Sequence, residues 1–188
     1  MNNDRDSDMR MTFLKKDVNL PQRQELQRRL GLEDAPVPEF DELAARLSEA
    51  AAGIGNLNVM PYSMVNFMRE NHQYFGGVAH LGRPAVGRMM ARDHGWCPEV
   101  VDRESALILR DVRAAPRFTG NPVVNKLGIL SYMGAPLTYD GVTFGTVCVV
   151  HTSVTEWGDY YGHKGLELIK QYAQEAVELI VHRAEINR

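Results

Sequence analysis

Between Gly128 and Val150 the chain reads GILSYMGAPLTYDGVTFGTVCVV, and the reading of this stretch decides the fold. Two apolar, β-branched and aromatic runs, Leu130 to Tyr139 and Thr143 to His151, flank Asp140-Gly141. An Asp-Gly pair between such runs is a strong hairpin signal, because both central residues of the tight primed turn need positive φ. The second run is apolar on both parities (GTVCVV). That pattern belongs to a strand whose sheet is covered on both faces.

Working outward, the same texture recurs upstream. Met64 to Met68 (MVNFM) and Gln73 to Ala79 (QYFGGVA) are separated by Arg69-Glu70-Asn71-His72, a polar turn of hairpin length. Ala106 to Leu109 (ALIL) fits a further strand. Ahead of the first hairpin, Phe40, Leu43, Leu47, Ala50 and Ile54 recur at three- and four-residue steps, which gives a helix one apolar face. Pro38 stands near its start, Glu39, Asp41 and Glu42 fall where the helix dipole favours negative charge, and Gly53 and Gly55 end it. An earlier helix fits Leu20 to Leu30, stopped by Gly31. At the other end, Leu166, Ile169, Ala173, Ala176, Ile180 and Ala184 form a stripe along a helix from about Lys164 to Arg188. The charged segment from Met1 to Asp17 reads as part of a flexible tail over residues 1–19, followed by a single domain over residues 20–188. The order helix-helix-hairpin-crossover-hairpin-helix predicts an α+β fold with helices packed on an antiparallel sheet.

Composition narrows the function classes. The 188 residues are 44% apolar, enough for a real core, and carry a net charge of -3 from 21 basic and 24 acidic residues. That near balance offers no broad basic surface to a phosphate backbone, so no nucleic-acid partner is expected. Two cysteines make no disulfide framework, and nine methionines suit a reducing compartment. No apolar run approaches the roughly 18 residues of a membrane span. A soluble cytoplasmic protein is expected, with no membrane partner.

Beyond these patterns, HGWCPEVVDRESALILRDVRAAPRFTGNPVV, from His94 to Val124, resembles bacterial GAF domains of signalling proteins. There a Cys-bearing helix leads into a strand ending in Asp, followed by a "PRF…NP" loop. Gly128 to Val150, with "SY.GAPL", the DG turn and "GT.CV", is similar to the next two strands of that family, and VNFMRENHQYFGG, from Val65 to Gly77, to its first two. The resemblance runs in order from about Phe40 to Arg183. It implies a GAF-like (profilin-like) antiparallel sheet with terminal helices on one face. On the other face, short helices and the segment between the third and fourth strands close over a small-molecule pocket. In relatives that pocket takes cyclic nucleotides, haem, bilins, amino-acid derivatives, or nothing identified, and the terminal helices often pair two subunits. The function so implied is a non-catalytic sensory or regulatory module. It would bind an unidentified small molecule and signal through its terminal helices, as a homodimer or to a separate signalling protein. The terminal helix, longer than the globular mean, fits a homodimer too.

The pocket residues expected on this basis are Asn66, Phe67, Trp96, Cys97, Asp111, Arg117, Phe118, Tyr132 and Thr146, aromatic walls with a few polar groups. For some of them two readings stand. Asp111 closes a strand and can cap the following turn, or face the ligand. Arg117 bridges a nearby carboxylate or carbonyl while Phe118 plugs the core, or it contacts a polar ligand. Cys97 opens a helix, with Pro98 at the next position, so it is either a small buried side chain beside Trp96 or an activated thiolate. The histidines and cysteines have no paired metal-ligand spacing, so no metal site is expected. His151 stands where many relatives carry an acidic residue. No GxSxG elbow, GxxxxGK loop or GxGxxG turn is present, and no motif implies a cofactor. Asn125-Lys126 has no Asp-Glu after it to complete a cyclic-nucleotide signature. Two alternatives remain: a redox protein, sensor or reductase, working through Cys97, and an interaction scaffold whose pocket is filled by its own Phe and Tyr side chains.

Overall fold

Asp140 and Gly141 take φ of +50° and +71°, and the chain reverses on them between the two longest strands of the sheet. The computed structural model describes residues 17–187, so most of the expected tail lies outside the described residues. Its last residues, read as tail, are held: Asp17 pairs with both Arg23 and Arg92.

Six antiparallel strands follow the order β3-β2-β1-β6-β5-β4, with β1 Tyr62–Met68, β2 His72–Ala79, β3 Met89–Ala91, β4 Leu107–Leu109, β5 Ser131–Tyr139 and β6 Val142–His151. The three-residue edge strand β3 was not legible in the sequence, and the ALIL strand is β4 at the opposite edge. The helices are α1 Leu20–Arg29, α2 Pro38–Gly55, α3 Cys97–Arg103, α4 Pro116–Thr119, α5 Pro122–Leu127 and α6 His163–Ile186. Pro38, Pro98, Pro116 and Pro122 all stand in first turns, where a missing N–H costs nothing.

Strand alternation divides the side chains between two cores. Val65, Phe67, Met133, Ala135, Leu137, Val147 and Val149 face α2 and α6, where they meet Phe40, Leu43, Leu47, Ile169 and Ile180. Each fully buried residue of that size contributes about 1.5–3 kcal/mol. Five members of the α6 stripe are buried there, while Leu166 is only half-buried and Gly165 and Tyr172 join in its place. The other sheet face, with Met64, Met68, Phe75, Tyr132 and Cys148, meets Trp96, Val100, Phe118 and Val123. Helix α1 is fastened by polar groups: Arg23 Nε donates to Thr143 O at 2.8 Å, and Gln27 Nε2 donates to Phe144 O at 2.8 Å and Met68 O at 3.0 Å.

Candidate small-molecule site

The second core is not filled. A cavity of about 420 Å3 lies between the sheet and the segments that cover it. Its floor comes from alternate residues of the central strands, among them Met64, Gln73, Phe75, Tyr132, Cys148 and Val150. The roof is Arg83 to Met90 on one side and His94 to Cys97 with Val123, Leu127 and Ile129 on the other.

Two side-chain clips hold that roof. Asn121 Oδ1 accepts the Gly95 N–H at 2.9 Å while Nδ2 donates to Gly95 O at 2.7 Å, so the "NP" residue that opens α5 also fixes the turn carrying Trp96. Gly95 takes φ +72° in that turn, a conformation glycine adopts without strain. From the floor, Gln73 Nε2 donates to Ala91 O at 2.9 Å and His94 O at 2.7 Å. Its Oε1 accepts from Asn66 Nδ2 at 2.9 Å, and Thr146 Oγ1 lies 3.4 Å from the same amide. A buried polar layer thus underlies an otherwise apolar cavity.

Cys97 Sγ lies 3.4 Å from Tyr132 Oη, and the Trp96 and Tyr132 rings stand 5.5 Å apart. Cys148 lines the same cavity from the neighbouring strand. Its thiol is the leading cause that brings the Cys97 thiol down to about 7; burial opposes it, and Thr146, Tyr132 and Asn66 help. Cys97, with burial, pushes Cys148 up, and burial raises Tyr132. Two buried polar atoms in this half have no partner among the described residues, Asn66 Oδ1 and Trp96 Nε1. Among the described residues no group of three or more His, Cys, Asp or Glu side chains is placed to hold a metal ion.

Of the residues expected from the sequence, Trp96, Cys97 and Tyr132 line the cavity. Asn66 and Thr146 lie just beneath, on the same sheet face. Phe67 does not line it: next to Asn66 on β1 it points the other way and stacks edge-on against Phe40, 6.0 Å between centroids. Asp111 is also elsewhere, capping the 3-10 turn Val112–Ala114 by accepting from Arg113 N at 2.9 Å and pairing with the Arg113 guanidinium. Arg117 is exposed, 4.4 Å above the Phe118 ring and 3.4 Å from Glu99. Phe118 is buried in the core around the cavity without forming its wall. Five polar wall residues went unread: Tyr62, Gln73, Arg83, His94 and Cys148. For Cys148 the signal was present, since a strand that turns Thr146 to a pocket turns the residue two further on there as well. His151 is buried; Nδ1 accepts the Ser153 N–H at 3.1 Å, which leaves Nε2 to donate to Val59 O at 3.1 Å.

A helix-backed antiparallel sheet with a roofed cavity on its free face defines a small ligand-binding sensory fold. The chain belongs to the GAF domain family, whose model matches residues 39–180. No match was found among curated proteins. Among solved structures it is similar to a free methionine-R-sulfoxide reductase from Neisseria meningitidis in complex with its substrate (13% identity, 90% of this chain and 89% of that one, TM-score 0.54). It is likewise similar to the GAF domain of an Acinetobacter phosphoenolpyruvate-protein phosphotransferase (13% identity, 92% and 99%, TM-score 0.53). A third is the blue-light absorbing form of the Thermosynechococcus elongatus PixJ GAF domain (16% identity, 87% and 93%, TM-score 0.54). At such identities the likeness is one of fold. No helix among the described residues is long and apolar enough to cross a membrane.

Proposed function

We propose that the protein is a sensory module that binds a small molecule in the cavity and passes the change out through its terminal helices. The observation that carries this reading is the cavity itself: about 420 Å3, largely apolar walls, and a few polar groups held in place by Asn121 and Gln73. Those are the features of a preformed small-molecule site. The relay has a physical basis in β5, where Tyr132 touches the cavity while its neighbour Met133 packs in the core beneath α6. A ligand moves such a relay only if it favours one arrangement over another. Two free thiols suit the cytoplasm, the proposed location, and α6 is the proposed route to a homodimer or a separate signalling protein.

Mass spectrometry of the purified protein, native and then denatured, tests the reading. A small molecule released on denaturation supports it. A clean apo mass, with no change in Trp96 fluorescence across a ligand library in a Trp157→Phe background, leaves a scaffold instead. Trp157 is buried in the helical core, so that background isolates the cavity tryptophan.

A second reading is favoured by the two free thiols, Cys97 and Cys148, that line one cavity. The Neisseria meningitidis reductase is an enzyme on this fold. Here hydrogen peroxide entering the cavity would oxidise the Cys97 thiolate to a sulfenic acid, its other oxygen leaving as hydroxide and taking a proton to become water. Cys148 would then attack the Cys97 sulfur, forming the disulfide and releasing a second water. A loss of two hydrogens mapping to a Cys97–Cys148 peptide after peroxide treatment supports this chemistry, and unchanged free thiols remove it.

A further inference from the structure

The hydrogen-bonding capacity left unused in the cavity belongs chiefly to donors. Gln73 spends its oxygen on Asn66 and its amide protons on the carbonyls of the roof. The Tyr62 hydroxyl donates to Pro84 O at 3.2 Å, and Tyr132 is engaged with Cys97. His94 has Asp93 as its neighbour at 3.8 Å. What remains is the Trp96 Nε1–H, on a residue only 2% exposed and without an acceptor, the His94 ring and the Arg83 guanidinium, against one unpartnered acceptor, Asn66 Oδ1, beneath the floor.

Arg83 differs from the other arginines. Each of the others among the described residues has a carboxylate within 4.0 Å, and Arg83 has none. Its guanidinium lies 4.7 Å from the Tyr62 ring centroid and makes one long contact, 3.4 Å, to Met60 O. Among the described residues no Asp or Glu lines the cavity. A cation 4.7 Å over an aromatic ring in the wall of a largely apolar cavity, with most of its donors unspent, offers a planar fork to an anion.

We infer that the ligand of this site is a monoanionic carboxylic acid with a flat apolar body. Its carboxylate pairs with Arg83, and its body is enclosed by Trp96, Phe75 and the methionines Met64, Met89 and Met90. The inference rests on the reading that the cavity binds a ligand. One arginine matches one negative charge; a phosphate dianion would bring a second, and among the described residues no further arginine or lysine lines the cavity to pair it. The flexible thioethers of the walls adapt to an aromatic body.

The test compares 2-naphthoate with 2-naphthamide, which share a ring system and differ in charge, by titration calorimetry on the full chain. Naphthoate is expected to bind at least about tenfold more tightly, the effect of one charge-assisted pair. Arg83→Gln should abolish that preference and leave naphthamide affinity within about twofold, because Arg83 makes no structural ion pair whose loss would disturb the fold. Equal affinities in the wild-type protein would overturn the inference while leaving the cavity a binding site. A preference that survives Arg83→Gln would overturn the assignment of the anion to Arg83. Failure of both probes to bind would overturn the inference of a flat apolar acid, while the ligand-binding reading is decided separately by the released mass and the ligand library.

Discussion

Cys97 Sγ, at the first residue of α3, lies 3.4 Å from Tyr132 Oη on β5. The contact joins the roof of the cavity to its floor, and the Cys148 thiol completes the group from β6. A buried thiol among apolar neighbours would normally hold its proton more tightly. Here the Cys148 thiol outweighs burial, and Thr146, Tyr132 and Asn66 add to it, bringing Cys97 down to about 7.

The first thiol proton of the pair therefore leaves near pH 7, and the second only well above the ordinary thiol range. Thiolate absorbance followed against pH should rise by one thiolate around neutrality. Cys148→Ala removes the leading cause, so the inflection should move up toward the ordinary value. An inflection unchanged in that variant would show that Cys148 does not tune Cys97.

The extent to which the sequence disclosed these features follows from the range of the forces involved. Local signals were read correctly where the physics is local. Asp140-Gly141 turns the hairpin with positive φ at both residues, and Asp111, expected either to cap its turn or to face the ligand, does the first. Strand parity is set by pairing across the sheet, so adjacent Asn66 and Phe67 were both offered to the pocket although they must face opposite ways. Asn121 shows in the sequence only as part of the "NP" loop; its bonds to Gly95 span 26 residues and have no sequence signature. Arg23 and Gln27 are polar, yet they form the buried face of α1 because the carbonyls of Thr143, Phe144 and Met68 await them. The short β3 carries too few residues to show a period.

Two glycines should respond differently to alanine. At Gly141 an added Cβ meets nothing within 4 Å, so only the left-handed backbone at φ +71° opposes it, at about 1 kcal/mol. At Gly77 the Cβ would stand 2.3 Å from Phe40 O, where α2 begins against β2. Relief requires moving that helix, and such overpacking costs roughly 1–3 kcal/mol or more. Urea denaturation of Gly141→Ala and Gly77→Ala should rank them in this order. The reverse ranking would contradict the packing of α2 on β2.

His151 should make stability depend on acid. Burial, the leading cause, and the nearby Arg83 charge hold its imidazole below the ordinary 6.5, against the hydrogen bond to Val59 O that favours the charged form. A folded-state value below the unfolded one means that the unfolded chain binds the proton first. The stabilisation is complete above about 6.5 and is lost as pH falls through the lower folded value. Melting temperatures measured from pH 7.5 to pH 5 should fall more steeply for the wild-type protein than for His151→Gln. Parallel curves would show that His151 does not titrate differently in the two states.

Arg117 and Phe118 are adjacent and should part company on mutation. Arg117 is exposed, and its ion pair with Glu99 at 3.4 Å is well hydrated. Exposed pairs of this kind contribute about 0–1 kcal/mol, so Arg117→Ala should leave the unfolding midpoint nearly unchanged. Phe118 is 7% exposed and packs in the core that surrounds the cavity. Truncating a buried phenylalanine costs about 3–5 kcal/mol, so Phe118→Ala should lower the midpoint sharply. Because the helix containing Phe118 leads directly into Asn121, the loss should also loosen the Gly95 turn that carries Trp96. Amide exchange at Gly95, whose N–H is held by Asn121 Oδ1 at 2.9 Å, reads that coupling directly. Faster exchange in Phe118→Ala but not in Arg117→Ala is the expected result. Equal protection in both variants would mean that the roof of the cavity is held independently of this core.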